Sequence, residues 1–159
     1  MNIVLLEPEI PQNTGNIVRT CAATGTRLHL IEPLGFDISE KAVRRAGLDY
    51  WKDCEIFVYK NIDEFFSKNN GNYYYSSTKA AHRYDEVKYL SDDYIFFGAE
   101  TRGLPEELLH ENYNKAIRIP MKNGCRSLNL SNSVAIVLYE ALRQNDFNGL
   151  LDKGHLTKY

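Results

Sequence analysis

Apolar and polar positions come in short alternating blocks along this chain. Ile3–Leu6 is a wholly apolar run, the pattern of a strand covered on both faces. Glu7–Gln12 carries Pro8 and Pro11, which predicts a loop and no regular element. Asn13-Thr14-Gly15-Asn16 leads into a helix, Ile17–Thr24, that ends at Gly25. Leu28–Ile31 is the next strand, and Ser39–Ala46 is a short capped helix stopped at Gly47. Glu55–Tyr59 reads as a strand, and Ile62–Lys68 as a helix with Phe65 and Phe66 partly inward. Two aromatic-rich strands follow, Asn72–Ser76 and Tyr94–Phe97. Pro105 suits the first turn of a helix Pro105–Glu111, and Lys115–Ile119 is the last strand. Strands and helices alternating at this spacing predict one α/β domain, residues 1–159, built on a parallel sheet with right-handed crossovers. The polar stretch Asn145–Tyr159 is expected to be a loosely held tail.

The last third of the chain departs from this even rhythm. A strand stops at Pro120, a polar loop with Gly124 follows, and then five small polar residues (Ser127, Asn129, Ser131, Asn132, Ser133) open a helix with an almost wholly apolar body, Val134–Leu142. Ser and Asn at a helix start ordinarily cap its free amides. One or two would suffice, and the excess points to a ligand site at the mouth of a buried helix.

Two further loops fall at predicted strand ends, where open α/β sheets bind ligands. In Asn13-Thr14-Gly15-Asn16-Ile17-Val18-Arg19, helical spacing puts Asn16 and Arg19 on one face. An Asn cap beside a solvated Arg explains that spacing equally well. In Phe97-Gly98-Ala99-Glu100-Thr101-Arg102-Gly103-Leu104-Pro105, two glycines straddle one acid and one base. Glycines there permit positive φ or a close backbone approach to a ligand.

Composition narrows the classes without choosing among them. With 43% hydrophobic and 25% charged residues the chain reads as soluble and globular, and a net charge of -2 predicts no nucleic-acid partner by itself. Any RNA contact must come from a local patch. Cys21, Cys54 and Cys125 are odd in number and form no CxxC pair, so reduced thiols in the cytoplasm are expected and zinc is not. Met1–Glu7 reads as a strand, not a signal peptide, and no apolar run approaches the ~20 residues that cross a bilayer. The chain has no GxGxxG after its first strand, no GxxxxGK[ST] and no GxSxG elbow. His29, His82, His110 and His155 are scattered outside the three loops and read as structural or exposed; no metal cluster is apparent.

The three loops, in this order and spacing, resemble the motifs of the SPOUT superfamily of RNA methyltransferases. Asn13-x-Gly15-Asn16-x-x-Arg19 looks like the first, Phe97-Gly98-x-Glu100-x-x-Gly103-Leu104 the second, and Ser127–Val134 the third. With Glu7–Asn16 at the front and Arg45-Ala46-Gly47-Leu48-Asp49-Tyr50 further on, the chain is similar end to end to the tRNA (cytidine/uridine-34)-2'-O-methyltransferase family, known as TrmL or YibK. The resemblance implies a minimal methyltransferase domain without an added RNA-binding domain, a parallel α/β sheet whose C-terminal part threads a deep trefoil knot, and a cytoplasmic homodimer in which the first and last helices pack across the interface.

The activity implied is 2'-O-methylation of the wobble ribose in the tRNA anticodon stem-loop, with leucine tRNAs as the expected substrates. S-adenosylmethionine would be the donor and S-adenosylhomocysteine the product, with no metal. Carried over by position, the cofactor contacts are Ser76, Thr78, Gly98, Glu100, Ile119, Ser127 and Leu128, and the catalytic group comprises Arg19, Asn13, Glu100 and Asn129. Arg19 is expected to stabilise the developing 2'-alkoxide while a phosphate or water accepts the proton, because a guanidinium hardly gives up its own. Asn13, Glu100, Ser127 and Asn129 would hold loops and substrate in place. For RNA, the candidates are Arg102 and Arg126 in the loops, and Arg44 and Arg45 in the basic run Lys41–Arg45, with Tyr50 and Trp51 nearby as candidate stacking platforms. An enzyme acting on ribosomal RNA or another tRNA position, and a non-catalytic RNA-binding relative, are the alternatives.

Overall fold

The computed structural model describes residues 1–38, 49–151 and 153–158. The expected helix Ser39–Ala46, with Arg44 and Arg45, lies outside the described residues. Seven strands among those described form one sheet: β1 (Asn2–Leu6), β2 (Arg27–Ile31), β3 (Ile56–Tyr59), β4 (Tyr73–Ser76), β5 (His82–Arg83), β6 (Tyr94–Phe97) and β7 (Ala116–Arg118). Their spatial order is β3-β2-β1-β6-β4-β7-β5, and every pairing is parallel. The helices are α1 (Pro11–Thr24), α2 (Ile62–Lys68), α3 (Glu106–Glu111) and α4 (Leu130–Gln144), with short 3-10 turns at Asp49–Asp53 and Tyr113–Lys115.

The unbroken apolar run of β1 is explained by its place. Alternate side chains leave a strand on opposite faces, and helices cover both. Ile3 and Leu5 pack with Ile17, Val18 and Cys21 of α1 and with Val134, Val137 and Leu138 of α4. Val4 and Leu6 pack on the other face with Phe65 of α2, Leu109 of α3 and the rings of Tyr75 and Phe96. A parallel sheet buried on both sides needs such runs.

Several boundaries differ from expectation. Pro11 does not exclude helix; it occupies the first turn of α1, where a missing N–H costs no hydrogen bond, so α1 begins six residues before Ile17. The Asn13 and Thr14 amides donate to the Ile10 carbonyl, so Asn13 is inside the helix and is not its cap. The other end follows the sequence, with Gly25 at φ 66 and its N–H donating to the Cys21 carbonyl. At α4 the cap is Asn129, whose side-chain oxygen accepts from the Ser131 and Asn132 amides; Ser127 lies upstream of the helix. Beyond α4 the chain turns through 145–149. There the Asn145 side chain donates to the Tyr89 and Ala141 carbonyls and the Phe147 amide to the Leu142 carbonyl, while Leu151 and Leu156 stand exposed.

Candidate active site

The connections leaving the carboxyl ends of β1, β4, β6 and β7 converge on one cleft of about 550 Å³. From β1 come Ile10 and Asn13; from β4, Ser76 to Lys79; from β6, Phe97 to Leu104. The segment after β7 supplies Ile119, Met121 and Arg126 to Leu130, and Ser133 follows from α4. β1 and β6 lie side by side at the point where the sheet order departs from β3-β2-β1, a switch point of the kind that leaves a crevice in open α/β sheets.

Glu100 stitches two of the loops together. Its Oε2 accepts the Glu9 amide at 2.8 Å, and its Oε1 accepts the Ile10 amide at 3.2 Å and Asn13 Nδ2 at 2.9 Å. Asn13 extends the chain, because its Oδ1 accepts from Asn129 Nδ2 at 2.9 Å. Asn129 in turn caps α4. One hydrogen-bonded line therefore joins the end of β6, the start of α1 and the start of α4. Glu9 reinforces it, accepting from the Thr101 amide and hydroxyl.

The glycines of the β6 loop serve the loop itself. A Cβ on Gly98 would lie 2.1 Å from the Gly103 carbonyl carbon and 2.2 Å from the Leu104 nitrogen, so any side chain there collides with backbone. Gly103 closes the turn at φ 70, donating its N–H to the Ala99 carbonyl at 2.8 Å. The close approach expected at Gly98 is thus made by the loop's own far end.

Charges around the cleft are mostly spoken for. Lys79 hydrogen-bonds Glu106, which holds that exposed carboxyl below its usual range. Arg102 pairs with Glu7. Among the described residues, Arg126 has no ion-pair partner and stands exposed at the cleft. Of the sequence candidates, Asn13, Ser76, Thr78, Gly98, Glu100, Arg102, Ile119, Arg126, Ser127, Leu128 and Asn129 all line the cleft.

Arg19 does not. It is exposed on α1, and its guanidinium lies over the Tyr50 ring, 4.6 Å from the centroid, with Nη2 donating to the Tyr50 hydroxyl at 3.3 Å. Trp51, expected beside Tyr50 as a stacking platform, is partly buried and packs on the core. Ser77, Lys79 and Met121 line the cleft without a signal in their own residue types. None of the histidines lines it. His29 is buried beside Tyr59 and Asn2, and burial lowers its pKa to about 4.

The cleft's chemistry suits a nucleoside joined to an amino acid. Phe97, Ile119, Met121 and Leu128 offer apolar surface for a base, while Ser76, Ser77, Thr78 and Ser127 offer hydroxyls, and Arg126 is free to meet a carboxylate or phosphate. Among the described residues no group of His, Cys, Asp and Glu could hold a metal, and no helix is long and apolar enough to cross a membrane.

Residues 1–139 match the SpoU rRNA Methylase family. The tRNA (cytidine(34)-2'-O)-methyltransferase of Saccharophagus degradans is 49% identical over 150 residues, covering 93% of this chain and 97% of its own. A solved structure titled for the 2-OH methylation of C/U34 on tRNA matches with a TM-score of 0.85 and 41% identity, over 91% of this chain and 95% of that one. The AdoMet-bound rRNA methyltransferase of Sinorhizobium meliloti matches with a TM-score of 0.75 and 27% identity, over 89% of this chain and 55% of that one.

Proposed function

The chain belongs to the SpoU rRNA Methylase family, and from that premise we propose that it methylates the 2'-oxygen of the wobble ribose, cytidine or uridine 34 of tRNA, with S-adenosylmethionine as donor. Relatives matched over nearly their whole length are named for 2'-O-methylation of cytidine 34, and a matching solved structure is titled for C/U34. The observation that carries the reading is the Glu100–Asn13–Asn129 line, which holds three loops around one cleft at the strand ends. S-adenosylmethionine, when bound, supplies a methyl group on a sulfonium and departs as S-adenosylhomocysteine.

The chain's own residues bind, orient and exclude water. Backbone groups at Ile119 and Leu128 give an adenine edge one donor and one acceptor, beside the apolar wall. Ser76, Thr78 and Ser127 take the ribose and amino-acid portions, beside the β6 loop that Gly98 and Gly103 keep tight. Glu100 acts by fixing loops, since both its oxygens are already engaged by donors. Arg126 takes an RNA phosphate, and Arg102 does so on leaving Glu7. Arg44 and Arg45 remain part of the RNA surface in this proposal.

Arg19 stabilises the 2'-alkoxide by charge, with a phosphate or water taking the proton. It lies off the cleft of its own chain. We place it at the seam of a homodimer formed by α1 and α4, a reading supported by Ile136 and Tyr139, large apolar residues exposed on α4. The single domain of 1–159, a C-terminal trefoil knot, a cytoplasmic location and preference for leucine tRNAs complete the proposal.

The test is transfer of labelled methyl from S-adenosylmethionine to unmodified tRNA, with the product nucleoside identified. A 2'-O-methylated cytidine or uridine is expected. Label on a base, or no transfer to any tRNA, overturns the reading; a ribose methylated elsewhere in tRNA or in ribosomal RNA moves it to the alternative substrates.

A further inference from the structure

Tyr50 has no role in the function as derived so far, yet it makes the only hydrogen bond and ring contact of the Arg19 guanidinium among the described residues. Two geometric facts define that contact. The guanidinium carbon stands over the ring, 4.6 Å from its centroid, a cation against an aromatic face. One nitrogen, Nη2, also reaches the hydroxyl at the ring's end at 3.3 Å. The ring face and the hydroxyl together give the guanidinium two points of attachment to one side chain. Among the described residues the other N–H groups, at Nε, Nη1 and the second of Nη2, have no protein acceptor and stay available to oxygens of a substrate.

The platform is itself anchored. Tyr50 belongs to the 3-10 turn Asp49–Asp53, and its neighbour Trp51 packs against the core cluster that contains Ile17, Val18 and Cys21 of α1. Cys54, just past the turn, packs on the same cluster, and its thiol donates to the Thr26 carbonyl at 4.0 Å. The turn is thus pinned to the helix that carries Arg19. Without Tyr50, an exposed arginine on a helix surface would sample many rotamers, and any geometry needed for catalysis would be populated only part of the time.

We infer that Tyr50 is a positioning residue for Arg19, holding the guanidinium against its ring and hydroxyl with the other N–H groups presented to the RNA. The inference rests on the proposal that Arg19 stabilises the alkoxide. It also reassigns Tyr50, which the sequence suggested as a stacking surface for an anticodon base, because one face of its ring is already covered.

The test measures kcat and the KM for tRNA in Tyr50→Leu and Tyr50→Phe, alone and combined with Arg19→Lys, and includes Arg19→Ala. An ammonium has no planar face to stack, so the Lys background separates action through Arg19 from action on RNA. Tyr50→Leu is expected to lower kcat roughly 5- to 30-fold, as loss of a partly exposed cation–π platform and its hydrogen bond implies, with KM changed less than about twofold. Tyr50→Phe keeps the stack and loses no more than about threefold. In the Arg19→Lys background Tyr50→Leu costs less than about twofold more. A rise in KM of the same size in both backgrounds would show Tyr50 stacking on RNA and overturn the inference, as would an unchanged kcat in Tyr50→Leu. Full activity in Arg19→Ala would instead remove the reading beneath it, an outcome read in that variant alone.

Discussion

Exchanging the polarity of the Glu100–Asn13 contact tests whether one hydrogen-bonded line assembles the site. Glu100 accepts three hydrogen bonds, two from main-chain amides and one from Asn13 Nδ2. In Glu100→Gln the amide oxygen can keep the Glu9 N–H, but the new NH2 group then faces two donors, Ile10 N–H and Asn13 Nδ2. Two bonds to a charged acceptor are lost, each worth about 1.5–3 kcal/mol where fully buried. The site is only partly buried, so the low end applies, about 2–3 kcal/mol in all. For a chain of this size that lowers Tm by roughly 4–12 °C. Asn13→Asp alone sets carboxylate against carboxylate and is expected to cost a similar amount. Combined, the two changes restore one bond. The NH2 group introduced by Glu100→Gln donates to the carboxylate introduced by Asn13→Asp, which still accepts from Asn129. Thermal unfolding of wild type, both single variants and the double variant should therefore show a coupling of about 1–2 kcal/mol in favour of the double. A Glu100→Gln protein within about 1 °C of wild type would refute the reasoning. So would a double variant whose loss is the sum of the two.

Three further outcomes follow from other parts of the molecule. His29, whose pKa burial lowers to about 4 from 6.5, is neutral in the fold at pH values where the unfolded chain binds a proton. Stability attributable to it is therefore complete above pH 6.5 and falls by about 3 kcal/mol as pH drops toward 4; chemical denaturation across that window should show a slope that His29→Gln flattens. Gly98→Ala places a Cβ against backbone at Gly103 and Leu104, so it should displace the β6 loop and weaken S-adenosylmethionine binding at least roughly tenfold by calorimetry; unchanged affinity would mean that the loop does not shape the cofactor site. Arg19→Lys should retain part of the methyl-transfer rate while Arg19→Ala loses roughly a hundredfold or more; equal losses in both would count against a role based on charge.

The sheet was legible because a strand buried on both faces writes an apolar run into the chain, as Ile3–Leu6 does and as Leu28–Ile31 does but for His29. What escaped was short or non-local. β5 is two exposed residues, His82 and Arg83, paired only with β7, and two residues carry no periodicity. Pro11 was misleading because a proline's meaning depends on whether it stands before, at or within a helix start. All three motif loops could be found, and each contributes residues to one cleft, although Asn13 alone does so from the first motif. Yet nothing in local sequence reveals that Glu100 bonds main chain some ninety residues away, or that Asn13 is a relay and not a cap. The separation of Arg19 from that cleft was equally hidden, since helical spacing aligns Asn16 with Arg19 but does not say toward what.

The central claim is that the 2'-oxygen of one nucleotide receives the methyl group. It is tested most directly with two otherwise identical unmodified tRNAs, one carrying deoxyribose at position 34, the site named for the relatives, and one carrying it elsewhere in the anticodon loop. The account predicts that the first accepts no methyl from S-adenosylmethionine and that the second is methylated at the rate of the all-ribose tRNA. Methylation of the first tRNA at an undiminished rate would contradict it.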